Sequence, residues 1–152
     1  MEKIKIEKMT LDDIDGVCEV CKNSFPIPWS RKSFEDELNN MLATYLVAKI
    51  EEKVVGFIGL WFVMDECHIT NIAVHNEYRN KHIATELVSA MFEYCKEHET
   101  GYVLLEVRSS NVAAKELYKK FGFKEDVVRK DYYKNPDNTR EDAIVMSLEV
   151  RN

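Results

Sequence analysis

The chain has 152 residues, 45% of them apolar and 32% charged, with a formal net charge of −6. That length suits one domain, residues 1–152, with a sizeable core, and the acidic balance argues against the basic footprint of a nucleic-acid binder. The longest apolar run, "VVGFIGLWFVM", is too short to cross a membrane as a helix, and "MEKIKIEKMT" lacks the apolar core of a signal peptide, so the expected place is the cytoplasm, away from membranes.

In chain order, "KIKIEKM" alternates polar and apolar residues and reads as a strand. Thr10 is placed to cap a helix, with Asp12 and Asp13 in the first turn, where the helix dipole favours them. Ile14, Val17, Cys18 and Cys21 then form one apolar stripe. "FPIPWS" breaks that helix, and Ser30 can cap a second one with Phe34, Leu38 and Met41 on one face. "TYLVAKI", the turn "EEK" and "VVGFIGLWFVM" predict an antiparallel hairpin, and "CHITNIAV" a further strand. "HNEYRNKH" is polar and irregular. From there to about His98 the pattern is helical, with Ile83, Leu87, Ala90, Met91 and Tyr94 inward.

"YVLLEV" reads as a strand and "NVAAKELYKKF" as a short helix, with Gly122 suited to its left-handed terminus. "FKEDVVRKDYY" and "EDAIVMSLEV" are the last strands, joined by the turn-rich "KNPDNTR". The order β-α-α-β-β-β-α-β-α-β-β predicts an α/β fold, a mixed sheet with helices on both faces.

The cysteines are Cys18, Cys21, Cys67 and Cys95. The C-x-x-C pair has no second pair at close spacing to complete a zinc site, and it falls late in a helix rather than at a helix N-terminus after a strand. Buried or half-buried thiols in a reducing compartment are expected, and no metal.

The chemistry concentrates in "LEVRSSNVAAKELYKKFGF". Tyr102, Leu104 and Glu106 share one face of their strand. Glu106 thus follows two large side chains, and a partly desolvated carboxylate is a better base. A glutamate in solvent or paired with Arg108 is the plainer alternative. Asn111 and Tyr118 lie seven apart, on one helix face. Asn111 can simply cap that helix, and Tyr118 can be a core residue with its hydroxyl at the rim. All three cluster at the C-terminal end of one strand, where open α/β sheets bind ligands. A second candidate is "NIAVHNEYRNKHIATEL", a strand leading through a basic loop into a helix N-terminus. Such an N-terminus suits a pyrophosphate, although basic loops before helices are common.

Together these residues resemble the GCN5-related N-acetyltransferase (GNAT) superfamily, with an element order that matches across essentially the whole chain. The family's loop Arg/Gln-x-x-Gly-x-Gly/Ala is here Arg79-Asn80-Lys81-His82-Ile83-Ala84. His82 stands where the central glycine is usual, so a φ above zero there would strain a histidine. "IPWS", "HITNIAV", "LEVRSSNVAAKELYKKFGF", "RKDYY" and "EDAIVM" resemble the RimI branch, which acetylates the N-terminal alanine of a ribosomal protein.

The resemblance implies a proton-acceptor role for Glu106 and a proton-donor role for Tyr118. It implies acetyl-CoA, with no metal, held by Ile72, Ala73, Val74, Arg79, Asn80, Lys81, His82, Ile83, Ala84, Thr85 and Asn111. If strand 72–74 splays from its neighbour, its unpaired amides can bind the pantetheine and polarise the acetyl carbonyl. Trp29 is either a core anchor or one wall of a peptide slot. Tyr132 and Tyr133 are adjacent, so in a regular strand one can be core while the other lines that slot. Met64, Asp65 and Glu66 are expected in a turn near its mouth, where they could attract a cationic N-terminus. The expected partner is a ribosomal protein's N-terminus, met by a monomer with no nucleic acid bound directly.

Overall fold

The computed structural model describes residues 3–79 and 82–150. Seven strands form one sheet: β1 (Lys5–Lys8), β2 (Ala43–Ile50), β3 (Lys53–Val63), β4 (Glu66–Val74), β5 (Tyr102–Arg108), β6 (Lys124–Lys134) and β7 (Arg140–Glu149). Four helices accompany them: α1 (Ile14–Ser24), α2 (Arg31–Leu38), α3 (Ile83–Glu97) and α4 (Val112–Lys120). The strands lie in the order β1-β2-β3-β4-β5-β7-β6. Only β4 and β5 pair in parallel; every other neighbouring pair is antiparallel. A parallel pair needs a crossover, and α3 supplies it.

Strand alternation divides the apolar side chains between two cores. Leu46, Ile58, Leu60, Cys67, Ile69, Val103, Leu105 and Val107 join Ile83, Leu87 and Met91 of α3 and Tyr118 of α4 on one face. Tyr45, Val47, Phe57 and Ala73 join Ile14, Val17, Cys21 and Phe34 of α1 and α2 on the other. Helices on both faces are as the pattern predicts. Cys18 is half-buried, the other three cysteines are buried, and all four are free thiols.

The predicted second helical face fails beyond Phe34. α2 ends at Leu38, which is 37% exposed, and Met41 is fully exposed. The cause is Asn39-Asn40: Asn39 ends the helix, and the Asn40 carboxamide accepts from the amide of Leu42 to turn the chain into β2. Thr10 does cap, but over a short 3₁₀ turn, Leu11–Asp13, in a reciprocal box with Asp13.

Candidate active site

The parallel pair opens the site. β4 and β5 pair from Glu66 and Tyr102 up to Ile69 and Leu105 and no further. Beyond that point β4 stays on β3 as far as Val74, and β5 stays on β7 as far as Arg108. A β-bulge marks the parting: Gly59 pairs with Asn71 and Leu60 with Ile69, leaving Thr70 as the extra residue. Bulges bend a strand and end its pairing. The edge of β4 over Ile72–Val74 therefore faces the gap instead of a partner strand.

A cavity of about 360 Å³ fills this gap. Of the residues singled out in the sequence, Trp29, Ile72, Glu106, Asn111, Tyr118, Tyr132 and Tyr133 line it. Glu106 stands opposite the face on which Val103, Leu105 and Val107 are buried. Its neighbour is not Arg108. Tyr132 donates its hydroxyl to Oε1 at 3.4 Å, and Arg129 Nε lies 3.1 Å from Oε2. That contact is ionic but out of line, so Oε2 accepts no hydrogen bond. Arg108 is held instead by Glu141 at 2.9 Å and Asn135 at 2.7 Å.

Tyr118 is buried, and burial pushes its hydroxyl far above the ordinary tyrosine range. It keeps its proton and can donate it in a hydrogen bond. Asn111 caps α4, accepting from the Ala114 amide at 3.1 Å, while also lining the cavity. Trp29 is anchor and wall together: its ring centroid lies 5.4 Å from that of Phe34, and the residue also lines the cavity.

Two expectations are corrected here. Tyr132 and Tyr133 both line the cavity and neither belongs to a core. The register slips between Arg129 and Tyr133, and Asp131 takes φ of 51°, which breaks the strict alternation. Burial raises both hydroxyls, that of Tyr133 to about 12. Met64 and Asp65 form the expected turn and Glu66 opens β4, but this is the end away from the parting of the strands, and none of the three lines the cavity.

At the other end of β4 the chain reaches α3. Ala73 is buried, Ile72 and Val74 are half-buried, and Arg79 folds back onto the carbonyls of Val74 and Asn23. Asn80 and Lys81 lie outside the described residues. His82 precedes α3 in the left-handed region, φ 63° and ψ 19°, and its side chain caps nothing. Ile83 is buried, Ala84 half-buried and Thr85 exposed. The first intrahelical bond reaches back from Glu86 to the His82 carbonyl. No side-chain cap from His82 covers the amides before that of Glu86, and a helix N-terminus of that kind suits an anion. No group of three or more His, Cys, Asp or Glu suited to a metal ion occurs among the described residues.

Sequence reasoning missed several residues in or beside the cavity. The "FPIPWS" segment reads as a helix breaker, yet Phe25, Pro26 and Ile27 line the cavity. Arg129 reaches Glu106 from β6 although β7 lies between β6 and β5. Asn71 also lines it, and the signal there was an amide set among the apolar residues of "HITNIAV".

The sheet thus parts between two strands, with a carboxylate and a buried phenol in the opening and a helix N-terminus without a side-chain cap beside it. The chain belongs to the acetyltransferase (GNAT) family, whose sequence model matches residues 14–123. It is 31% identical over 147 residues to the ribosomal protein bS18-alanine N-acetyltransferase of Escherichia coli (strain K12), covering 95% of this chain and 97% of that one. A Bacillus subtilis (strain 168) relative, 43% identical over 149 residues and 97% of both chains, bears a name that assigns the same activity provisionally. The crystal structure of the Escherichia coli ribosomal-protein-S18-alanine N-acetyltransferase superposes with a TM-score of 0.90 at 28% identity, covering 99% of this chain and 96% of that one. Arabidopsis thaliana NAA60 in complex with acetyl-CoA shares the fold, with a TM-score of 0.88 at 18% identity over 97% and 99% of the two chains.

Proposed function

We propose that the chain transfers the acetyl group of acetyl-CoA to the α-amino group of the N-terminal alanine of ribosomal protein bS18. On this reading the whole chain works as one domain and as a cytoplasmic monomer. The observation that carries it is the placing of Glu106 and Tyr118 in one cavity at the parting of β4 and β5. The named relatives support the choice of acceptor.

The residues present fit acetyl-CoA. The open edge of β4 at Ile72–Val74 offers backbone groups to an extended pantetheine, as a missing strand would use them. The first turn of α3, from His82 to Thr85, offers its amides to the pyrophosphate, with Arg79 and Lys81 adding positive charge and Asn80 a neutral polar side chain. Asn111 completes the set. Bound there, acetyl-CoA supplies the acetyl group and a thiol leaving group.

An α-amine has a pKa of ~8 and is largely ammonium near neutrality. Glu106 takes its proton, directly or through a water, with a carboxylate whose Oε2 is not engaged in a hydrogen bond among the described residues. The amine then attacks the acetyl carbonyl, which the β4 amides polarise. Tyr118, kept protonated by burial, donates to the departing sulfur. Trp29, Tyr132 and Tyr133 form the walls of the acceptor slot.

The test is an intact-mass assay with acetyl-CoA and peptides beginning Ala-Arg, beginning Met-Glu, or carrying an internal lysine. The expected product is one added acetyl group on the Ala-Arg peptide. Preferential acetylation of either other peptide would reassign the acceptor. No transfer to any of the three, with no acetyl-CoA binding by calorimetry, would defeat the reading.

A further inference from the structure

The bulge in β4 holds a polar chain that the mechanism does not use. Tyr45 Oη lies 3.0 Å from Thr70 Oγ1, and Thr70 Oγ1 donates to Asn71 Oδ1 at 3.1 Å. The single Thr70 proton is thereby spent, so Tyr45 is the donor in the first bond. Burial raises the Tyr45 hydroxyl well above its ordinary range and keeps that proton in place. Asn71 ends this chain: its Oδ1 accepts from Thr70, and the residue lines the cavity. Nδ2 is buried and meets no hydrogen-bond acceptor among the described residues. An amide N–H group buried without a partner is costly, so it is expected to serve something that enters.

What enters is set by which face Asn71 occupies. A β-carbon at Gly59 would lie 2.4 Å from Asn71 Oδ1 and from the Tyr45 ring. The Asn71 side chain therefore crosses the bare backbone of Gly59 on the α1–α2 face, where Tyr45 belongs to the core. Glu106 projects from the same face, because Val103, Leu105 and Val107 occupy the other one with Tyr118. The proton acceptor, Asn71 and the α1–α2 segment Phe25–Trp29 thus border the cavity from the acceptor's side.

We infer that Asn71 Nδ2 donates to the carbonyl oxygen of the acceptor's first peptide bond, and so selects α-amines over side-chain amines. The inference rests on the acetyltransferase reading above and deepens it. In an N-terminal residue the amine and the carbonyl are separated only by the α-carbon and the carbonyl carbon. An amine held at Glu106 brings that oxygen with it. A lysine ε-amine has its nearest backbone carbonyl a whole side chain away and leaves Nδ2 unpaired. A site with a buried donor rejects a ligand that cannot satisfy it more strongly than it rewards one that can.

The test compares wild type and Asn71→Ala on three acceptors: an Ala-Arg peptide, the same peptide with its first carbonyl replaced by a thioamide, and a peptide with an internal lysine. Thermal unfolding checks that the variant is folded. Wild type is expected to lose roughly 10-fold in kcat/KM on the thioamide, a poorer hydrogen-bond acceptor. In Asn71→Ala the oxo peptide is expected to fall by about 10- to 100-fold, the oxo-to-thio ratio to approach one, and the preference for α-amine over lysine to shrink. The KM for acetyl-CoA should stay near wild type. An unchanged oxo-to-thio ratio, or an equal loss in acetyl-CoA affinity, overturns the assignment of Asn71 alone. Wild-type protein that acetylates no acceptor overturns the acetyltransferase reading, and this inference with it.

Discussion

Two glutamates on neighbouring strands meet opposite fates. Glu141, at the start of β7, accepts from Arg108 Nη1 at 2.9 Å, the Ser110 amide at 3.0 Å and the Ser109 hydroxyl at 3.4 Å. Those donors, with the Ser110 bonds foremost, pull its carboxyl from an ordinary 4.5 down to about 2. Glu106, on β5, has one long bond from Tyr132 and a misaligned arginine. A carboxylate that serves the fold has its lone pairs filled. One that must take a proton keeps a lone pair free, at some cost in stability. The difference separates the structural Glu141 from the base proposed at Glu106 more clearly than burial does, since the two side chains are 20% and 32% exposed.

The largest expected effect tests the open member of the pair. Glu106→Gln keeps the shape and removes the base, so kcat should fall about 10²- to 10⁴-fold near neutral pH. Part of the loss should return at higher pH, where the amine deprotonates unaided. Tyr118→Phe, in the same assay, should cost roughly 10²-fold in kcat with acetyl-CoA binding little changed. A Gln variant with the wild-type rate and pH profile would move Glu106 into Glu141's class.

The filled member should show the reverse. Glu141 has its folded pKa depressed, so its contribution to stability is fully present above its ordinary 4.5. That contribution is lost as pH falls toward about 2. Glu141→Gln should therefore cost about 1–2 kcal/mol at pH 7, read by denaturant unfolding, and kcat should fall far less than in Glu106→Gln. The stability gap between variant and wild type should close between about pH 4.5 and pH 2. A constant gap across that range would mean that shape, not charge, holds the Arg108 cluster.

How much of this was legible in the sequence follows from how local each signal is. Glu106 and Tyr118 could be found because strand alternation and helical spacing are set within a few residues. The parting of β4 and β5 was foreseeable only as a condition, since the Thr70 bulge depends on β3 supplying a glycine opposite. Tyr132 and Tyr133 were assigned to opposite faces because nothing in "RKDYY" announces the positive φ of Asp131. Arg129 was invisible for a different reason: its contact with Glu106 passes over an intervening strand, and strand order is a long-range fact.

The contrast between satisfied and unsatisfied groups extends to the backbone and gives the smallest effect. Gly122 follows α4 with φ of 99°, a value that glycine adopts freely. His82 precedes α3 with φ of 63°, where its β-carbon crowds the backbone at a cost of about 1–2 kcal/mol. The family's usual glycine at that position is explained by this geometry, and the histidine carries the strain. His82→Gly should relieve it. Glycine also loosens the unfolded chain, so the net gain should be about 0.5–1 kcal/mol in unfolding free energy. Acetyl-CoA affinity, measured by calorimetry, should stay equal or tighten, because the amides of the α3 first turn are freer to settle on the pyrophosphate. His82→Ala separates the two parts of the side chain, since it keeps the β-carbon and its strain while deleting the ring. It should bind acetyl-CoA like wild type and gain no stability. Weaker binding in both variants would show that the imidazole itself touches the cofactor, and that the strain is held for that contact.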